Sequence, residues 1–151
     1  MITDAFLQLS AAQVVTATAV STNTIDLSEA RDMGAGKDLY FHFDVDVTVQ
    51  AAGAATVQFQ IITSAAANLG TPTVLATTEP IGKAELPAGR RPITLAIPAS
   101  ILAAQPIGQR YLGAQYVVAT GPLTSGSAFS CVVTDSKVDM GKNYPSGFTV
   151  A

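Results

Sequence analysis

His42, Asp44 and Asp46 stand at every second position of a segment in which polar and apolar residues alternate. Since side chains two positions apart on a strand point to the same face, these three groups would share one side of a sheet. Imidazole and carboxylate groups can bind a metal ion, so the spacing is compatible with a metal site. Same-face neighbours stand about 7 Å apart, however, and polar groups commonly line the solvent side of a strand. We therefore predict a solvated strand face and no metal-binding residue.

No motif for catalysis accompanies these residues. His42 is the only histidine that could act as a base, and no Gly-x-Ser-x-Gly turn is present to carry a nucleophile. Asp44 and Asp46, adjacent on one face, do not flank a bond as glycosidase carboxylates do. The single cysteine, Cys131, occupies an apolar position of another alternating segment, which is typical of packing in a core. We predict that the protein is not an enzyme and has no catalytic or cofactor-binding residue.

The segment that carries His42 predicts a strand with one buried side. Residues 39–49 alternate between apolar and polar over eleven positions. Residues 56–62 alternate in the same way after a short stretch of alanine and glycine. The two segments are therefore predicted to form a hairpin.

Further segments extend the β pattern along the chain. Strands are predicted at residues 13–20, 73–78, 93–97, 111–120 and 128–134. Glycine and proline residues between them obstruct long helices. Only residues 98–104 are helical in pattern, and Pro106 ends that segment within two turns. Seven or eight strands predict the all-β class, a jelly-roll β-sandwich with at most one short helix.

Charge and composition exclude several classes of function. Only 13% of the 151 residues are charged, and the formal net charge is −3. Because Arg90 and Arg91 form the only basic doublet, we expect no nucleic-acid partner. We also expect neither a membrane span nor a secretory signal, since no apolar run reaches about eighteen residues and the first residues carry no basic group. So few charges favour a surface that is buried on another protein.

Landmarks over nearly the whole chain carry a family resemblance. They lie at residues 1–10, 21–27, 34–40, 110–116 and 121–126. With these segments the sequence resembles the Bbp16 family, which comprises small capsid cement proteins of tailed bacteriophages. The shared features are strand edges and turns, so the resemblance implies no catalytic or cofactor residue.

The resemblance implies a jelly-roll protein on the outer surface of an icosahedral head, where it bridges subunits of the major capsid protein without covalent cross-links. Such a virion protein would be synthesised in the host bacterial cytoplasm. We assign residues 1–12 to an N-terminal arm and residues 13–151 to a single jelly-roll cement domain. We expect residues 1–10 and the turn at Asn23 to contact the shell. Deletion of residues 1–10 would then abolish shell binding and leave the fold intact.

An alternative function stays open at the level of sequence. A receptor- or carbohydrate-binding β-sandwich of a phage particle would use clustered aromatic rings, whereas Tyr40, Tyr111, Tyr116 and Tyr144 are scattered and tryptophan is absent.

Self-association is also expected. A two-fold dimer is the commonest closed assembly, and a trimer is the alternative.

Overall fold

Strands dominate the computed structural model, which describes residues 5–27, 37–103, 109–124 and 126–135. The strands are β1 (Gln8–Val14), β2 (Ala19–Val20), β3 (Ile25–Asp26), β4 (Leu39–Val47), β5 (Thr56–Ser64), β6 (Thr73–Thr77), β7 (Ile81–Gly82), β8 (Ile93–Ile97), β9 (Tyr111–Ala119) and β10 (Ala128–Thr134). Short 3₁₀ helices span Ala5–Leu7 and Lys83–Glu85. Within the described residues there is one α-helix, α1 (Ala99–Ala103). The predicted all-β class with one short helix is confirmed.

The strands form two antiparallel sheets packed as a sandwich. The four-stranded sheet has the order β1-β10-β4-β8. The six-stranded sheet has the order β2-β9-β5-β6, and in it β3 also pairs with β9 and β7 with β5. The chain changes sheet after β1, β3, β4, β7, β8 and β9, so strands that pair are mostly distant in sequence. This order is that of a jelly roll, as the sequence predicts.

The predicted hairpin between β4 and β5 is wrong. Strand β4 pairs with β10 and β8, whereas β5 pairs with β9, β6 and β7 in the other sheet. Each strand has one apolar face, and placing the two in opposite sheets lets those faces pack against each other. The connection between them also takes Val49 and Ala55 into the core, so it is not a simple solvent-exposed turn.

The first strand begins earlier than predicted. β-branched residues favoured a strand over residues 13–20, but β1 spans Gln8–Val14 and β2 has only two residues. Residues 8–12, which were assigned to the arm, therefore lie in the four-stranded sheet, paired with β10. The side chain of Leu9 is fully buried in the core and holds this segment on the domain. Residues 1–4 and 136–151 lie outside the described residues, and the division into arm and domain stays a prediction.

The other predicted elements agree with the structure to within two residues. These are the strands predicted at 39–49, 56–62, 73–78, 93–97, 111–120 and 128–134 and the helix predicted at 98–104. Strands β3 and β7 were missed, because two residues are too few to show any periodicity.

The centre of the core is a group of four aromatic rings. Phe43 and Phe129 come from the four-stranded sheet, and Phe59 and Tyr116 come from the six-stranded sheet. The ring centroid of Phe59 is 5.2 Å from that of Phe43, 5.9 Å from that of Tyr116 and 5.4 Å from that of Phe129. Tilted and edge-to-face pairs at such distances stabilise a core beyond the burial of their area. This group joins the two sheets.

A smaller apolar cluster lies on the outer side of the six-stranded sheet. Ile62 of β5 and Leu69 of the following loop are both buried outside the main core. Gly113 of β9 is the direct partner of Ile62. A Cβ atom built at position 113 would lie only 2.4 Å from Leu69 Cδ1. A glycine is therefore needed for Leu69 to cover β9.

Gly113→Ala is expected to lower the free energy of unfolding by about 1–3 kcal/mol, because the added methyl group displaces a buried leucine. Gly82→Ala in β7 is the matched control, since a Cβ there meets nothing within 4 Å, and its effect should stay within about 0.5 kcal/mol. Urea unfolding followed by circular dichroism measures both variants. Equal stabilities would contradict the packing of Leu69 on Gly113.

Candidate functional site

His42 is buried and hydrogen-bonded on both sides, contrary to the predicted solvated strand face. Its side chain lies on the outer side of β4 and is 1% exposed. Nδ1 is 3.0 Å from Thr94 Oγ1, and Nε2 is 3.2 Å from Thr134 Oγ1. Thr94 belongs to β8 and Thr134 to β10, so the imidazole links three neighbouring strands. Both ring nitrogens have protein partners, and the arrangement is structural.

The two aspartates of β4 have different surroundings. Asp46 is exposed, and its carboxylate accepts a 2.7 Å hydrogen bond from Ser130 Oγ. Asp44 is half-buried. Burial raises the pKa of the Asp44 carboxyl, the charge of Asp46 raises it further, and His42 lowers it. Over residues 5–27, 37–103, 109–124 and 126–135, no three His, Cys, Asp or Glu side chains are grouped to hold a metal ion.

Asp44→Asn is expected to stabilise the protein at neutral pH. A carboxyl whose pKa is raised by folding favours the folded state when protonated, and that contribution is lost as pH rises through the folded-state pKa. Removing the charge therefore gives a gain at pH 7, and the gain should shrink as pH falls toward the ordinary value of 3.8. Urea unfolding of both proteins at pH 7 and pH 4 measures it. A variant no more stable than wild type at pH 7 would contradict the burial of an ionised Asp44.

The cysteine and the described tyrosines form neither a reactive nor a stacking site. Cys131 is fully buried in the core, as its alternation predicts, and burial raises the pKa of its thiol. Burial also raises the pKa of the Tyr116 phenol, whose hydroxyl group is hydrogen-bonded to Ser10. Tyr40 and Tyr111 are half-buried in different sheets. Tyr144 lies outside the described residues.

The outer side of the six-stranded sheet carries no charged side chain on β2, β5, β6, β7 or β9. Register and burial assign the accessible outward positions of the two central strands to Thr56, Gln58, Gln60, Tyr111, Gln115, Val117 and Ala119. Ile62 and Gly113 point to the same side but are covered by Leu69. The flanking strands add Val20, Val74 and Thr77. We call these ten accessible positions the uncharged face. Interface cores are depleted in charge, and this face has that composition.

An ion pair, whose two charges cancel, borders the uncharged face. Asp26 of β3 accepts two hydrogen bonds from the guanidinium of Arg110, each 2.7 Å long. The same guanidinium lies 5.3 Å from the ring centroid of Tyr111. Bidentate pairing and ring contact hold both charges in place. The margin of the face therefore presents compensated charges.

Residues 8 and 9, from the first segment that is expected to touch the shell, lie beside the turn at Asn23, which is the second. The backbone N–H of Asn23 donates a 2.9 Å hydrogen bond to the carbonyl of Leu9, and Asn23 Nδ2 donates a 3.1 Å bond to the carbonyl of Gln8. The turn at Asn23 thus covers the start of β1. Phe6, in the 3₁₀ helix just before it, is 88% exposed. One end of the domain therefore carries a large exposed ring beside a fixed turn.

Deletion of residues 1–10 would disturb the fold, contrary to the expectation from the sequence. The deletion removes Leu9, which is fully buried, and Ser10, whose hydroxyl group is bonded to Tyr116 in the core. It also removes the pairing of Gln8 and Ser10 with β10. If that variant failed to bind shells, the result would not show whether residues 1–10 contact the shell or whether the domain had unfolded.

A groove that the sequence does not reveal lies beside the end of β4. It has a volume of about 390 Å³ and is lined by Thr48, Val49, Gln50, Ala51, Lys83, Ala84 and Pro87. Its two walls are more than thirty residues apart in sequence, and neither contains a motif. Only the meeting of the β4–β5 connection with the 3₁₀ helix Lys83–Glu85 creates it.

Comparison with protein families relates the chain to a known family. The model of the Bbp16 family matches residues 9–133. The match begins in β1 and ends in β10, so it covers both sheets of the sandwich. No curated protein matches the sequence. Within the part of the chain that the structure describes, no helix has the length and apolar character needed to cross a membrane.

Proposed function

Because the chain belongs to the Bbp16 family, which is phage-associated, we propose that it is a capsid cement protein. In this role it is a structural virion protein that binds the outer surface of the icosahedral head. It stabilises contacts between subunits of the major capsid protein, its partner, through non-covalent contacts alone. It is made in the host bacterial cytoplasm and acts as a dimer, with a trimer as the alternative.

The uncharged face is the observation that carries this proposal. Burying an ionised side chain that has no partner of opposite charge costs roughly several kcal/mol, and this cost would oppose docking. Side chains such as Gln60 and Gln115 instead offer amide groups that can bond to a partner, and Val74 and Val117 offer apolar area. The face can therefore be buried on a protein surface at low cost.

The opposite side of the sandwich is less suited to burial. There Asp46 is exposed and Asp44 is half-buried, and both lie on the outer side of the four-stranded sheet. Dehydrating these carboxylates on a partner would carry the penalty that the uncharged face avoids. We therefore infer that the uncharged face is turned toward the shell and the four-stranded sheet toward solvent.

Repetition makes such a contact effective. An icosahedral shell presents the same site many times in a fixed array, and cement oligomers that engage two or more sites bind with an effective concentration that strengthens each contact. Modest individual contacts then suffice for stable attachment.

Addition of purified protein to empty shells of the major capsid protein from the same phage tests the proposal. The protein should pellet with the shells, saturate at a simple multiple of the shell symmetry and raise the temperature at which the shells break. Shells that pellet without it in both compact and expanded forms would overturn the proposal and favour the receptor- or carbohydrate-binding module.

A further inference from the structure

Lys83 lines the groove without a counter-ion among the described residues. Its Nζ donates a 2.5 Å hydrogen bond to the backbone carbonyl of Ala51, and the side chain is half-buried. No described carboxylate lies within ion-pair distance of it, whereas Lys37 is 3.9 Å from Asp135. A carbonyl oxygen is neutral, so the bond orients the ammonium group and leaves its charge uncompensated.

The walls of the groove are fixed by backbone hydrogen bonds. Val49 N–H donates to the carbonyl of Leu86 at 3.0 Å, and the N–H of Lys83 donates to the carbonyl of Ala55 at 3.1 Å. The N–H of Ala88 donates to Thr48 Oγ1 at 2.9 Å. Both sides of the groove are thus held in position before anything binds. A preformed site loses little conformational entropy on binding.

The chemistry of the groove selects one kind of occupant. A single cation lies among the apolar groups of Val49, Ala51, Ala84 and Pro87. A carboxylate on a short apolar stem matches this combination, because its charge reaches the ammonium while its methylene groups contact the walls. A phosphate backbone would require several cations, and the groove has one.

We propose that the groove binds a glutamate or aspartate side chain from an adjoining protein chain. Under the proposed function, on which the identity of that chain rests, it is the major capsid protein. Lys83 is then a docking residue that fixes the position of the cement protein on the shell.

Shell binding by Lys83→Met tests the contact, because methionine keeps much of the apolar stem and removes the charge. Binding should weaken about tenfold, as expected for loss of a charged hydrogen bond, and the salt dependence of binding should decrease. Lys37→Met removes an equal charge from an exposed site and is expected to bind within about twofold of wild type. Equal affinities of Lys83→Met and wild type would overturn the proposal.

A test without shells separates this inference from the proposed function. N-acetyl-Leu-Glu-Leu-amide at millimolar concentration should shift the Lys83 side-chain signal in spectra of ¹³C-lysine-labelled protein, and the neutral Leu-Gln-Leu analogue should not. Lys83→Met identifies the signal. A shift from the glutamate peptide with no binding to shells would retain the site and reject the cement role. Identical spectra with both peptides would reject the site.

Discussion

Phe59→Ala is expected to lower the free energy of unfolding by about 3–5 kcal/mol, the largest change we expect from one core substitution. Phe59 is fully buried, and its ring contacts Phe43, Tyr116 and Phe129. The substitution leaves a cavity between the sheets and removes three aromatic contacts at once. Domains of this kind have total stabilities of about 5–15 kcal/mol, so the variant should be close to unfolding at physiological temperature.

Two further variants make the measurement specific. Phe59→Leu retains much of the volume and should cost less, about 1–1.5 kcal/mol. Phe6→Ala removes a phenyl ring that is 88% exposed, so its effect should stay within about 0.5 kcal/mol. Urea unfolding compares all three with wild type. If Phe59→Ala were as stable as Phe6→Ala, the aromatic group would not join the sheets as described.

Gln60→Lys is expected to weaken shell binding at least about 100-fold, because docking would bury a lysine charge without a partner. Gln60 lies in the middle of the uncharged face, between Gln115 of β9 and Thr77 of β6. The glutamine is half-buried in the free protein, so a longer side chain can reach solvent and the fold should be retained. Co-sedimentation with shells measures binding, and urea unfolding checks the fold.

Ala96→Lys is the matched control for that substitution. Ala96 is exposed on β8, on the outer side of the opposite sheet. A lysine there should leave shell binding within about twofold of wild type. Weaker binding by Ala96→Lys with unchanged binding by Gln60→Lys would show that the four-stranded sheet faces the shell.

Strand positions could be predicted from the sequence because alternation is a local signal. Strands β4 and β9 each have one side in the core, and this burial produces the alternation of apolar and polar residues in the sequence. Which strands pair is not local. Two successive amphipathic strands satisfy the same pattern whether they pair in a hairpin or face each other across a sandwich, and β4 and β5 do the latter.

Position in the sheet also explains the other differences. His42 looks solvent-facing along β4, and its burial depends on Thr94 and Thr134 from strands that are distant in sequence. The first strand lacks β-branched residues before Val14, and its place is set by Leu9 reaching the core and by pairing with β10. Neither contact leaves a periodic signal.

The uncharged face and the groove could be predicted only in part from the sequence. Low total charge predicts a surface suited to protein contact, and Gln58 and Gln60 already alternate with core residues in the sequence. That β2, β6 and β9 extend the same uncharged composition follows from register alone. The hydrogen bond of Lys83 to the Ala51 carbonyl, with no carboxylate partner among the described residues, depends on the fold bringing distant parts of the chain together.

Electron cryomicroscopy of shells saturated with the protein tests the central claim most directly. We predict additional density on the outer surface, at junctions between major capsid protein subunits, into which the sandwich fits with the six-stranded sheet toward the shell. Shells without added density, or protein density confined to the tail or to receptor-binding fibres, would contradict the assignment as a capsid cement protein.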